Sequence, residues 1–203
     1  MLEQPIRRVF LIHGWEGSPN NHWFPWLSRE LGEYGFSVFA PAMPNTACPK
    51  VSEWVEHLQR VVVNPDKDTY FVGHSIGCQA ILRFLEKLPA SQKVGGVVFI
   101  GGWFTLMNLE TQEEKDIAKP WLETQIDFEK VKRHTKKFIA IFSDNDEVVP
   151  LENKELFEER LGASTVVEHQ KGHFYKSDGV TELPSALSAV LELADQKTLN
   201  PKP

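Results

Sequence analysis

Short apolar runs alternate along this chain with longer amphipathic segments. The runs at 8–13, 36–40, 69–73, 95–100, 138–143 and 165–169 are mostly β-branched and aromatic. They show little polar alternation, the pattern of strands covered on both faces. Between them, Val51, Trp54, Val55, Leu58 and Val61 recur at helical spacing behind Pro49, a first-turn proline. Ile81, Leu85 and Leu88 repeat that spacing after Ser75. A further helix follows Pro150 over 151–161 and stops at Gly162, a left-handed cap, and Leu183, Leu187, Val190 and Leu191 form the last stripe. Repeated strand–helix alternation predicts an α/β fold in three layers: a mostly parallel six-stranded sheet with helices on both faces.

No repeat, low-complexity tract or linker interrupts the pattern, and 203 residues suit a single domain over 1–203. One connection is too long for the simple unit. Between Ile100 and Phe138 no strand is visible and the 110–116 run is strongly polar, so 101–137 is expected to form a small cap insertion.

In open α/β sheets, ligands gather at the carboxyl ends of the strands. The residues that follow the predicted strands are His13-Gly14-Trp15, Gly73-His74-Ser75-Ile76-Gly77, Asp144-Asn145-Asp146-Glu147 and Lys171-Gly172-His173-Phe174. Serine, acid and histidine thus fall at strand ends in the order of the α/β-hydrolase arrangement. A serine hydroxyl is a weak nucleophile until a base takes its proton, and that base needs a carboxylate to fix its tautomer. The catalytic assignments are therefore Ser75, His173 and Asp146. Oxyanion donors are expected from the backbone N–H groups of Ile76 and Trp15, and His13, Gly14, His74 and Trp103 are candidates for the substrate pocket.

Two positions have rivals. Asp144 follows the same strand as Asp146, but Asp146 stands on the turn leading into the next helix, which leaves Asp144 to shape that turn. His169 falls inside the last strand, whereas His173 stands in a loop behind Gly172. Trp23, Phe24 and Trp26 open the first helix and read first as core packing, with walling of the site as the other reading. Cys78 reads as a small buried residue.

Composition narrows the partners. A formal net charge of −6 leaves no basic stripe for nucleic acid. The apolar stretch 94–107 is too short and glycine-rich to span a membrane, and 9–12 is too short for a signal-peptide core. Two cysteines, Cys48 and Cys78, make neither a metal-ligand pair nor a disulfide framework and suit a reducing, cytoplasmic setting. His169 and His173 lack a helical His-Glu-x-x-His context, Asp144-Asn145-Asp146 lacks a calcium-loop glycine, and no phosphate- or dinucleotide-binding glycine loop is present. No metal or cofactor is implied.

The segments His13-Gly14-Trp15, NHWFPWL (21–27), MPN (43–45), GHSIGCQAILRFLE (73–86), GGWF (101–104) and KGHF (171–174) occur together over most of the chain. In these the sequence resembles the retinoblastoma-binding-protein-type small serine hydrolases, most closely their bacterial YdeN-like branch. The resemblance implies a compact α/β-hydrolase fold with little cap and a Ser-Asp-His triad, which falls here on Ser75, Asp146 and His173. The Leu-x-Cys-x-Glu segment by which the animal branch engages a pocket protein is absent: Thr46 and Ile76 stand two residues before the cysteines. The expected activity is cleavage of a small carboxylic ester, or an amide, through an acyl-enzyme. The alternatives are an acyltransferase on the same triad and a binding protein with a vestigial one.

Overall fold

The computed structural model describes residues 6–195, so the two ends of the domain expected over 1–203 lie outside the described residues. The strands are β1 (Arg8–Ile12), β2 (Ser37–Phe39), β3 (Thr69–His74), β4 (Gly96–Ile100), β5 (Phe138–Ser143) and β6 (Ser164–Glu168). The helices are α1 (Phe24–Glu33), α2 (Val51–Val61), α3 (Ile76–Lys87), α4 (Gln112–Glu123), α5 (Phe128–His134), α6 (Asn153–Leu161) and α7 (Pro184–Leu193). The sheet runs β2-β1-β3-β4-β5-β6, and each of its pairings is parallel.

Apolar side chains leave both faces of this sheet, so two cores form. On one face, Leu27 and Leu31 of α1 and Ala186, Val190 and Leu191 of α7 cover Val9, Leu11, Val72 and Ile100. On the other, Trp54, Ile81, Phe84, Trp121, Val131 and Phe157, from α2 through α6, cover Phe10, Phe71, Phe99 and Phe142. Every residue of β3, β4 and β5 is buried. The two edges depart from that pattern: Val166 and Val167 of β6 and Phe39 of β2 are exposed, because an edge strand has a neighbour on one side only and thinner helical cover.

The connection 101–137 is helical over much of its length. The polar run that obscured a strand-or-helix reading is a helix start. Thr111 accepts the Glu114 N–H, while the Glu114 carboxylate accepts the Thr111 and Glu110 N–H groups, a reciprocal cap. Within α4 only Ala118 and Trp121 are buried, and Trp121 Nε1 donates to Pro49 O at 2.9 Å. Helix α5 instead lies against α3 in the helical layer and places Val131 in the core. Among the described residues no helix is long and apolar enough to cross a membrane.

Candidate active site

Strands β1, β3 and β4 end nearly level: Ile12 pairs with Gly73, and His74 with Ile100. The turn from β3 into α3 is sharp. Ser75 has φ 53° and ψ −122°, a backbone conformation that costs a non-glycine residue about 1–3 kcal/mol. Its flanking glycines are required by close approach. A Cβ on Gly77 would stand 2.3 Å from the Ile12 carbonyl oxygen, and one on Gly73 would stand 2.8 Å from the Cys78 nitrogen. With no room for side chains there, α3 begins directly against β1 and the Ser75 side chain sits at the corner.

Asp146 and His173 come from the loops after β5 and β6. The Asp146 carboxylate accepts the Val148 and Val149 N–H groups on Oδ1, each at 2.9 Å, which leaves Oδ2 to accept Nδ1–H of His173 at 2.7 Å. Both side chains are nearly sealed, at 3% and 2% exposure. With its proton on Nδ1, His173 carries a bare Nε2, and that nitrogen is buried with no protein partner. The loop holding the ring is strained as well: Gln170, Gly172 and Phe174 all have positive φ, and for a buried phenylalanine that is an outlier. Asp144 faces elsewhere. It accepts Gln170 N–H at 2.8 Å and His169 Nδ1–H at 2.6 Å, and these two contacts hold its carboxyl below the ordinary range.

Ser75, Ile76, His173, Trp15 and Trp103 line one cavity of about 430 Å³. Among the described residues the N–H groups of Trp15 and Ile76 have no backbone acceptor. The remaining wall comes largely from the connection after β4 and the start of α4, through Leu106, Leu109, Thr111, Glu113 and Ile117. These cavity residues were not legible in the sequence, nor was Tyr175, whose ring stands edge-on to His173 at 4.9 Å and against His74. Its position two residues after His173 was the one available signal. Burial pushes the Tyr175 phenol up to about 12.

Three of the residues expected to line the pocket stand behind it instead. Met43 N–H can only donate, so His13 Nε2 accepts it, at 3.0 Å, and Nδ1–H then donates to Gly14 O at 2.9 Å. His13 is a brace inside the loop that carries Trp15, and burial lowers its pKa. Gly14 is buried against His74 and Ser75, where a Cβ would meet His74 Nδ1 at 3.2 Å. His74 donates Nε2–H to the His173 carbonyl oxygen at 2.9 Å. Fully buried, it is held well below the ordinary histidine range, first by desolvation and then by the charge of His173. Trp23 is a core residue with no exposure, stacked on Phe24. Cys78 is buried with its thiol pushed up by desolvation. Among the described residues no group of three or more His, Cys, Asp or Glu side chains is placed to hold a metal.

A family model described as "Serine hydrolase" matches residues 9–192. The chain belongs to that family. It is 30% identical over 193 residues to YdeN of Bacillus subtilis (strain 168), covering 95% of this chain and 98% of the relative. It is 22% identical over 180 residues to serine hydrolase RBBP9 of Rattus norvegicus, covering 87% and 91%. The crystal structure of the B. subtilis ydeN gene product superposes with a TM-score of 0.85 at 30% identity, over 94% of this chain and 100% of that one. Est1E of Butyrivibrio proteoclasticus, solved with ferulic acid bound, matches with a TM-score of 0.69 over 93% of this chain and 90% of that one. At 16% identity it shares the fold alone.

Proposed function

We propose that this serine hydrolase cleaves a small carboxylic ester through an acyl-enzyme formed on Ser75. The observation that carries the reading is the sealed Asp146–His173 pair, whose Nε2 is left without a protein partner and whose histidine lines the same cavity as a serine held on a strained corner. His173 Nε2 takes the Ser75 proton as Oγ attacks the ester carbonyl. Asp146, fixed by two backbone N–H groups, holds the ring in the tautomer that makes this possible and stabilises the imidazolium. The unpaired N–H groups of Ile76 and Trp15 receive the developing oxyanion. His173 then gives its proton to the departing alkoxide. In the second half-reaction water replaces the alcohol, and the acid leaves.

Ser75→Ala is the direct test. It should abolish p-nitrophenyl acetate hydrolysis and fluorophosphonate labelling while the thermal midpoint stays within a few degrees, because alanine keeps the Cβ and the same backbone strain and only the hydroxyl is lost. Undiminished labelling of the variant would place the nucleophile elsewhere. Full acetyl transfer to an alcohol, with no net hydrolysis, would make the protein an acyltransferase.

A further inference from the structure

Helix α3 carries two polar side chains on its far side whose needs the protein does not meet. Arg83, two turns beyond Ser75, is 3% exposed and forms no ion pair among the described residues. Its Nη2 donates to the carbonyls of Trp121 and Thr124, at 2.7 and 3.0 Å, at the end of α4. Among the described residues its Nε is buried with no partner, and its protein hydrogen bonds both come from Nη2. Glu86 is the carboxylate whose charge it feels, and desolvation still outweighs that charge and lowers the Arg83 pKa. One turn back, Gln79 donates Nε2–H to the Trp103 carbonyl while its Oε1 is buried without a donor.

Both side chains line a cavity of about 280 Å³ separate from the one at Ser75. A second guanidinium, Arg160 of α6, enters its wall, 4.6 Å over Phe104 and 5.7 Å from Phe128 and in no ion pair among the described residues. Trp121, Leu122 and Ile126 complete an apolar wall, and among the described residues Glu123 is the one carboxylate in the lining, with Glu86 acting on Arg83 from outside it. A guanidinium taken out of water without a counter-charge is costly, and its planar fork matches a carboxylate.

We propose that this cavity binds a small organic carboxylate with an apolar body, its acid group on Arg83 and Arg160 and its body against Phe104, Phe128 and Trp121. A hydroxyl on that body finds an acceptor in Gln79 Oε1. Through Gln79 the occupant reaches the main chain of Trp103, a wall of the cavity at Ser75.

The test is calorimetric titration of the full chain with 4-hydroxybenzoate, with inorganic phosphate as a second titrant. Binding should be saturable, at least about tenfold weaker for Arg83→Met, and at least about threefold weaker for Arg160→Gln. Arg160 is exposed and outside the core, so its variant gives an answer even if Arg83→Met fails to fold. Crystals soaked with 3-bromo-4-hydroxybenzoate should show the carboxylate on Arg83 and Arg160 and bromine at the other end of the ring, on the side of Gln79. Unchanged affinity in Arg160→Gln, equal affinity for phosphate, or bromine at Ser75 alone would each overturn the proposal.

Discussion

The imidazole of His74 is hydrogen-bonded to the main chain of His173: its Nε2–H donates to the His173 carbonyl at 2.9 Å, across 99 residues of sequence. The residue before the proposed nucleophile thus holds the backbone of the residue that carries the proposed base. His74→Ala should lower kcat at least about tenfold with KM within about twofold, because the ring of His173 loses its anchor while the substrate cavity keeps its lining. His74→Gln, which retains a donor, should recover part of that loss. Equal losses in the two variants, tracking the thermal midpoint, would reduce His74 to a packing residue.

The central strands were legible because a strand buried on both faces must be apolar throughout, and 138–143 matches β5 in full. Where other strand ends differ, they moved by one residue. Helix α4 was not legible, since a segment with two buried side chains and an internal Pro120 has hardly any stripe to read. Helix α5 is too short for a periodicity to emerge. Ser75, Asp146 and His173 could be placed from their order after the strands. The brace roles of His13 and His74 could not, because each depends on a partner distant in sequence.

The buried histidines predict how stability follows pH. His74 and His13 have folded-state pKa values below the ordinary 6.5. Below pH 6.5 the unfolded chain takes up protons that the folded chain refuses, so stability falls as pH falls through that point. Each such group contributes a slope of about 1.4 kcal/mol per pH unit. The thermal midpoint should therefore drop between pH 7 and pH 5, above the range where carboxylates titrate, and drop less in His74→Gln. An unchanged slope in that variant would remove His74 from the account.

The two aspartates after β5 should separate cleanly. Asp146→Asn keeps the shape but favours the wrong tautomer of His173; the corresponding change in trypsin lowers kcat about 10⁴-fold. A loss of at least about a hundredfold is expected here, against less than about tenfold for Asp144→Asn, whose partners are Gln170 and His169. Activities measured on folded protein check this, and the reverse ranking would move the acid to Asp144.

The cavity at Ser75 is lined by Glu16, Glu113 and Glu114 and, among the described residues, by no lysine or arginine. An ester whose acyl chain ends in a carboxylate should be hydrolysed more slowly than its neutral isostere, by about tenfold at low ionic strength. Because Glu16 and Glu113 are exposed, added salt should narrow the gap. The volume of about 430 Å³ also favours acetyl to butyryl esters over long chains. A rise in kcat/KM out to palmitoyl esters, or equal rates for the charged and neutral pair, would contradict this.

The sheet order has a consequence for how the protein is made. Strand β3, which ends at the Ser75 corner, is sandwiched between β1 and β4, so its hydrogen-bonding partners are complete by residue 100. Asp146 and His173 leave the ribosome only afterwards, on loops that need β5 and β6 to dock in turn. A nascent chain can therefore shape the corner while the proposed base does not yet exist. Translation order thus withholds the proposed base from the serine until nearly the whole molecule has been synthesised.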